Sequence, residues 1–249
     1  MTILSYEKIM PLAELPLDLQ VHQEAVHLWQ VNLDLPEDCV EQLIPLLSAD
    51  EQLRAGRFAQ VRLQHRFIVG RGILRLLLAS YLKMAASEVA FVYGKHGKPD
   101  LAPSAPLPIG FNVSHSHQLA LYAMTFDRTI GVDLEQMRPM SNVEQLAQRF
   151  FSAQEYEFLK TVPSHLRSEV FFRLWTCKEA YLKATGEGLA GLQQVEVTLA
   201  LDSPQAALQI QGQPNFDWTL MEFQSDPEYR AALAVAGRVE ELGYYRITV

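Results

Sequence analysis

The chain has 249 residues, of which 49% are apolar, and a formal net charge of −8 at pH 7. This length allows one large or two small globular domains, and the acidic balance argues against a nucleic-acid-binding protein. The two cysteines, Cys39 and Cys177, are too few and too far apart for a disulfide framework or a zinc site. We expect Cys177 to be a small buried residue rather than a nucleophile.

Nothing in the sequence indicates a membrane segment or a secretion signal. No apolar run approaches the ~20 residues that span a bilayer. The N-terminal residues lack a basic stretch followed by a long apolar core. We therefore expect a soluble, cytoplasmic protein with no membrane partner.

The first half of the chain predicts a strand, two helices and a second strand. Residues 27–33 alternate apolar and polar side chains, as a strand does. Ser48 followed by Glu51 is typical of a capping box, so a helix should begin there. A longer helix should cover residues 63–82, where apolar residues recur with helical spacing, and residues 89–93 should form the second strand.

The rest of the chain predicts a loop and a hairpin, and then elements in an order similar to that of the first half. Residues 101–108 should be a loop, and Leu119–Phe126, a turn at Asp127 and Arg128 and residues 130–134 should form a β-hairpin. A second capping box, at Ser152 and Glu155, precedes a helix and a longer helix at about 168–184. Strands should follow at 195–201, 218–223 and 229–235. The repeated order indicates a duplicated α+β unit joined near residue 128, with a ligand site between the two lobes.

Positive charge is concentrated in residues 51–75. Six arginines stand there against Glu51 alone, which gives a local net charge of +5. Because the arginine fork donates two parallel hydrogen bonds, this segment could bind phosphate. The candidate phosphate contacts, for which ordinary exposed helix positions are an equal alternative, are Arg54, Arg57, Arg66 and Arg71. We interpret Arg62 and Arg75 as ordinary arginines of an exposed helix.

Three carboxylates and a lysine lie on two of the predicted elements, a strand and a helix. Asp133 and Glu135 end a short apolar strand and point to the same side, because strand residues i and i+2 share a face. Glu179 and Lys183 lie one helical turn apart on one face. Together they could hold a hard divalent cation on a phosphate. The alternatives are an ordinary helix pair, worth about 0.2–0.5 kcal/mol, and a solvated strand end.

Four motifs carry a resemblance to a known family. They are, in chain order, Gly97-Lys98-Pro99, Phe111-Asn112-Val113-Ser114-His115-Ser116, Gly131-Val132-Asp133-Leu134-Glu135 and Trp175-Thr176-Cys177-Lys178-Glu179-Ala180-Tyr181-Leu182-Lys183. In this order they resemble the 4′-phosphopantetheinyl transferases, and the length is similar to the larger, surfactin-synthetase-associated type. The resemblance covers roughly half of the chain. It implies two pseudo-symmetric α+β lobes, residues 1–128 and 129–249, with the active site between them.

The resemblance also implies an activity. The enzyme would transfer 4′-phosphopantetheine from coenzyme A to a serine of an apo acyl or peptidyl carrier protein and release 3′,5′-ADP. Mg²⁺ would be held by Asp133, Glu135 and Glu179, of which Glu135 occupies a position that varies among family members. Glu179 would be the general base, and Lys183 would stabilise charge on the transferring phosphate.

Further residues acquire roles from the same resemblance. Coenzyme A would be contacted by Lys98, Pro99, Ser114 and His115, with His115 toward the 3′-phosphate. Trp175 and Tyr181 would anchor their helix. The carrier protein would dock on residues 137–151, with Phe150 and Phe151 as anchors. A monomer is expected, since two internal lobes supply the interface that shorter family members make by oligomerising.

Two other interpretations remain open at this point. One is a metal-dependent hydrolase that uses His115, His117 and Asp133 and requires Zn²⁺ or Mn²⁺. His117 lies outside the matched motifs, and we assign it no role in the transferase. The other is a binding module with a decayed site, which the presence of every expected acid and both lysines disfavours.

Overall fold

The structure, a computed structural model, describes residues 4–199, 206–210, 213–214 and 217–249. The strands are β1 (Leu4–Pro11), β2 (Ala25–Asn32), β3 (Phe91–Tyr93), β4 (Pro99–Leu101), β5 (Ile109–Ser116), β6 (Leu119–Phe126), β7 (Ile130–Gln136), β8 (Val195–Leu199), β9 (Ala206–Ile210), β10 (Gln213–Pro214), β11 (Trp218–Asp226), β12 (Tyr229–Ala236) and β13 (Glu241–Thr248). The α-helices are α1 (Glu37–Leu43), α2 (Ala49–Ala55), α3 (Val61–Leu82), α4 (Val143–Phe150), α5 (Ala153–Thr161) and α6 (Arg167–Thr185).

Two sheets pack against each other, and a long helix covers the outer face of each. The larger sheet has the strand order β1-β13-β2-β6-β5, and the smaller one has the order β11-β12-β7. Their inner faces meet in an apolar cluster that includes Leu28, Leu121, Val132 and Leu233. Helix α3 packs on the outer face of the larger sheet and α6 on that of the smaller one. The α+β class is therefore confirmed.

Burial on both faces explains why β6 is apolar at nearly every position. Leu119 and Leu121 point into the cluster between the sheets, whereas Tyr122 and Met124 point into the core beneath α3. A strand covered on both sides does not alternate with polar residues, because neither face meets water. Strand β7 differs from β6, because alternate positions carry the acids of the candidate site.

The predicted capping box at Ser48 is confirmed, and it is part of a larger buried network. The Ser48 amide donates to the Glu51 carboxylate, which also accepts from Arg75 Nε at 2.6 Å. Arg75 is only 2% exposed and donates to the carbonyl oxygens of Ala86 and Val89. The expectation that Arg75 is an ordinary exposed arginine was therefore wrong: it crosslinks α2, α3 and the chain that follows.

The second lobe repeats this network. The Ser152 amide donates to Glu155, and Glu155 also accepts from Lys178 Nζ at 2.6 Å. The fully buried Lys178 donates a second bond to the Val195 carbonyl oxygen. In both lobes, the glutamate of the capping box binds a buried, positively charged side chain of the long helix that follows. This correspondence supports the internal duplication inferred from the sequence.

The predicted hairpin of Leu119–Phe126 with residues 130–134 was wrong. Both edges of β6 are occupied, by β2 and β5, so no edge is free for β7. Strand β7 instead pairs with β12 in the other sheet. Arg128 holds the short segment that leads from β6 in one sheet to β7 in the other. Its guanidinium group donates to the carbonyl oxygens of Ala25 and Arg238.

The last strand, β13, does not follow the predicted division of the chain into two lobes at residue 128. β13 runs parallel to both β1 and β2 and lies between them in the larger sheet. Its Tyr245 ring stacks on Trp29 with centroids 4.2 Å apart. The proposed C-terminal lobe, residues 129–249, therefore contributes one strand to the sheet of the N-terminal lobe.

The remaining predicted elements are confirmed with small shifts at their ends, and residues 200 and 201 of one predicted strand lie outside the described part of the chain. A third sheet has the order β10-β9-β8, and β3 pairs with β4. None of the helices in the described ranges is long and apolar enough to cross a membrane.

Candidate active site

The acidic residues of the site lie where α6 approaches β7 most closely. At Gly131, a β-carbon would stand 2.0 Å from the Ala180 carbonyl oxygen and 2.5 Å from the Ala184 amide nitrogen. Only glycine therefore allows the helix to rest on the strand at this point. The close approach places Glu179 and Lys183 of α6 beside the carboxylate of Asp133.

Lys183 is held by two partners in this cluster. Its Nζ atom donates to Asp133 Oδ1 at 2.6 Å and to Ser114 Oγ at 2.8 Å. The Ser114 hydroxyl donates to the same Asp133 oxygen at 3.1 Å. The predicted serine, aspartate and lysine are therefore brought together, although they come from three separate elements.

Two carboxylate oxygens of the cluster have no hydrogen-bond partner among the described residues. They are Asp133 Oδ2 and Glu179 Oε1, and both are buried. Burial, followed by the charge of Asp133, raises the pKa of Glu179 to about 7. The same two causes raise the pKa of Glu135. Burial and the charge of Asp133 thus destabilise the charged forms of Glu135 and Glu179, a situation that a bound cation would relieve.

The donor chemistry fits a hard divalent cation. Carboxylate oxygens are the ligands that Mg²⁺ prefers, and the two buried oxygens without partners are available to it. As the side chains stand, no three histidine, cysteine, aspartate or glutamate residues in the described ranges are grouped as a ready-made metal site. The same holds for His115, His117 and Asp133, the set that the hydrolase interpretation uses.

An arginine-lined cavity of about 640 Å³ adjoins this cluster. Its lining residues all lie between Leu33 and Tyr122, so the first half of the chain builds the cavity, whereas the cluster joins Ser114 of the first lobe to Asp133 and Lys183 of the second. Five of the predicted coenzyme A contacts line it: Arg54, Arg66, Arg71, Pro99 and His115. Burial lowers the pKa of His115, and the nearby charge of Lys183 in the cluster lowers it further.

Two of the cavity arginines are held in place by protein carboxylates. Arg66 makes a two-bond fork with Asp34, at 2.6 and 2.8 Å, and these bonds keep the pKa of Asp34 well below its usual range. Arg71 pairs with Glu51 at 3.0 Å, lies over the Tyr93 ring and donates to its hydroxyl group. Both guanidinium groups are therefore pre-positioned on the cavity wall.

Three predicted contacts to coenzyme A lie elsewhere. Ser114 belongs to the acidic cluster, and Arg57 lines a neighbouring surface depression. The Lys98 ammonium donates to the carbonyl oxygens of Ala184, at 3.0 Å, and Ile130, at 3.5 Å. Lys98 thus binds the C-terminal end of α6 and joins the lobes, whereas its neighbour Pro99 faces the cavity.

Several further expectations can be compared with the structure. Phe151 was wrongly expected to be a docking anchor: it is 3% exposed and stacks on Phe171, whereas Phe150 is half-buried. Cys177 is fully buried, and burial raises the pKa of its thiol, as expected of a packing residue. His117 has a left-handed φ of 52° and lines the cavity.

Sequence reasoning missed Asp34, Tyr93 and Ser116. Asp34 and Tyr93 contact the cavity arginines from distant segments of the chain, and the sequence around them does not predict those contacts. Ser116 did have a signal, because Asn112, Ser114 and Ser116 alternate along β5 and therefore share one face.

Sequence comparisons identify the family to which the chain belongs. A model of the 4′-phosphopantetheinyl transferase superfamily matches residues 129–234, and a model of the N-terminal region of these transferases matches residues 36–126. The chain belongs to the 4′-phosphopantetheinyl transferase superfamily and is an enzyme.

Individual relatives define its position more closely. The chain is 45% identical over 223 residues to the 4′-phosphopantetheinyl transferase HetI of Nostoc sp., which covers 89% of this chain and 92% of the relative. It is 31% identical to the transferase psf-1 of Bacillus pumilus, over 78% of this chain and 81% of the relative. It is 28% identical to Sfp of Bacillus subtilis, over 79% and 85%. These matches identify the larger, surfactin-synthetase-associated type.

Proposed function

We propose that this enzyme transfers 4′-phosphopantetheine from coenzyme A to a serine hydroxyl of an apo acyl or peptidyl carrier protein and releases 3′,5′-ADP. One observation supports this most directly. A cluster of Asp133, Glu179 and Lys183 adjoins a cavity lined by arginines, and β5 links the two through Ser114 and His115. Such a site suits a substrate with separate phosphate groups, because one group can lie in each part.

Coenzyme A has a 3′-phosphate on its nucleotide and a pyrophosphate between nucleotide and pantetheine. The cavity would hold the nucleotide, with Arg66, Arg71 and His115 donating to the 3′-phosphate. Because Asp34 and Glu51 already hold the two guanidinium groups, binding would cost little ordering of those side chains. The pyrophosphate would then lie near Ser114 and Lys183.

Transfer is a substitution at the phosphorus atom that bears pantetheine. The carrier serine oxygen forms a bond to that phosphorus as the bond to the 3′,5′-ADP oxygen breaks. Glu179 would take the serine proton on the carboxylate oxygen that does not contact the ion, and the leaving phosphate oxygen keeps the electron pair. Lys183 would stabilise the negative charge that builds on the phosphate oxygens.

Asp133, Glu135 and Glu179 are the residues that would hold Mg²⁺. When bound there with coenzyme A, the ion would neutralise pyrophosphate charge and orient that group. Asp133 has a further part, because its Oδ1 atom fixes the Lys183 ammonium while its Oδ2 atom stays unpaired. Removal of the divalent ion should therefore stop transfer.

The carrier protein would approach along residues 137–151. Phe150 is the remaining candidate anchor: it is half-buried, its ring meets Trp175 edge-on, and the Arg149 guanidinium lies over it. An apolar group beside a positive charge suits the surface of an acidic carrier. We further propose that the enzyme works as a monomer in the cytoplasm.

The test is the intact mass of an apo carrier protein after incubation with this enzyme, coenzyme A and Mg²⁺. We expect a gain of about 340 Da, the mass of one phosphopantetheine group. The gain should be lost with Glu179→Gln and retained with Glu187→Gln, a matched change at an exposed position just beyond α6.

Two results would contradict the proposal. Coenzyme A binding without a mass gain on any of several acyl and peptidyl carriers would favour the binding module. No coenzyme A binding at all would remove the proposed substrate.

A further inference from the structure

Strands β5 and β7 are joined by side chains rather than by a backbone ladder. They belong to separate sheets, yet backbone amides of β7 donate to side-chain oxygens of β5. The three contacts join Asn112 to Val132 at 3.0 Å, Ser114 to Leu134 at 3.1 Å and Ser116 to Gln136 at 3.1 Å. The constant offset of 20 residues means that the strands run in the same direction. We call this arrangement the side-chain ladder.

Two contacts of the side-chain ladder have a second function that the third lacks. Ser114 Oγ donates to Asp133 Oδ1 at 3.1 Å, and Ser116 Oγ donates to Glu135 Oε2 at 3.2 Å. Each serine therefore binds the carboxylate of one β7 residue and the amide of the next. Asn112 has no carboxylate to bind, because Gly131 occupies the corresponding position of β7.

The geometry of Ser116 fixes the direction of its hydroxyl proton. The Gln136 amide occupies a lone pair of Oγ, which leaves the single O–H proton for the Glu135 carboxylate. Without this bond, the flexible glutamate side chain would be free to turn toward solvent. Ser114 and Lys183 already hold Asp133, so Ser116 does for Glu135 what those two groups do for Asp133.

We propose that Ser116 is a positioning residue that holds the Glu135 carboxylate toward Asp133 for the divalent cation. This inference rests on the proposed function and deepens it, because it assigns the third carboxylate to the cation site through a named partner. It requires the hydroxyl group of Ser116, since the bond to Glu135 depends on the O–H proton and not on the size of the side chain. Hydrogen-bond partners of metal-binding side chains typically contribute 10–100-fold to metal affinity.

The test is direct binding of Mn²⁺, a paramagnetic probe that favours the same oxygen ligands, measured by electron paramagnetic resonance with coenzyme A present. We expect Ser116→Ala to weaken Mn²⁺ binding about 10-fold and Ser116→Thr, which keeps the hydroxyl group, to bind within about 2-fold of the unchanged enzyme. The control is Asn112→Ala, which removes a contact of the side-chain ladder without touching a carboxylate. It should lower the melting temperature but leave Mn²⁺ affinity within about 2-fold.

A double-mutant cycle separates positioning from general damage. If Ser116 acts through Glu135, Ser116→Ala should have little further effect on Mn²⁺ binding once Glu135→Gln is present. Equal affinity of Ser116→Ala and the unchanged enzyme would overturn the inference, as would Ser116→Thr binding as weakly as Ser116→Ala. These results leave the proposed function standing if the unchanged enzyme still modifies the carrier. An unchanged enzyme that neither binds Mn²⁺ nor transfers the group would overturn both.

Discussion

His27 shows how this protein fixes the protonation state of a buried side chain. Trp29 Nε1 donates to the Tyr81 hydroxyl oxygen at 3.0 Å, and the same hydroxyl group is hydrogen-bonded to His27 Nδ1 at 2.6 Å. A neutral His27 can accept the hydroxyl proton of Tyr81 through Nδ1. Burial lowers its pKa to about 4, although the charge of Glu241 partly opposes this.

This neutral histidine predicts a loss of stability in acid. Its pKa is near 6.5 when unfolded and about 4 when folded, so the unfolded chain binds the proton first as pH falls. Between pH 6.5 and 5, this difference in pKa lowers the free energy of unfolding by about 2 kcal/mol. Urea unfolding should therefore show that the free energy of unfolding falls more between pH 7 and pH 5 for the unchanged enzyme than for His27→Gln. Equal losses would contradict the assignment.

Glu179→Gln should separate stability from function at the candidate site. Its carboxylate is partly buried beside Asp133 and Glu135, so removing its charge should stabilise the cation-free protein. After allowance for solvent screening, we expect a gain of about 1 kcal/mol in the free energy of unfolding in EDTA at pH 8. Transfer should nevertheless fall more than about 100-fold. A variant that loses both stability and activity would indicate a structural role instead.

At the scale of elements, the spacing between α6 and β7 depends on Gly131. Gly131→Ala would place a β-carbon against backbone atoms of the helix, which have no rotamer by which to move away. We expect a loss of about 3 kcal/mol in stability, and reduced transfer because Lys183 and Glu179 move away from Asp133. The matched control is Gly56→Ala, whose nearest neighbours would be 3.7 Å away. Equal effects on the melting temperature would refute the close-approach argument.

The elements also show what a sequence can and cannot predict. The capping boxes at Ser48 and Ser152 and the two long helices were predictable, because their signals are local. The pairing of β7 with β12 was not, because it depends on which strand edges remain free after distant elements have paired. Asp133, Glu179 and Lys183 were recognised through motifs and spacing. The role of Lys98 at the end of α6 was missed, because a turn sequence does not show which surface lies opposite it.

At the scale of the whole molecule, β13 makes the two halves of the chain interdependent. Deletion of residues 241–249 would leave β1 without its pairing partner and expose the Trp29 ring face that Tyr245 covers. We expect this truncated chain to lose its cooperative thermal transition, followed by near-ultraviolet circular dichroism. Deletion of Val249 alone, which is 64% exposed, should leave the transition unchanged. A cooperative transition in the longer truncation would show that the first lobe folds without β13.

The place of β13 also determines when this enzyme can finish folding as it is synthesised. β1 and β2 leave the ribosome early, but the strand that pairs with both is translated about 200 residues later. At roughly 5–20 residues per second, their edges stay unpaired for about 10–40 s. Unpaired strand edges recruit other chains. We therefore expect the yield of soluble enzyme to depend on the speed of translation and on chaperones that bind nascent chains.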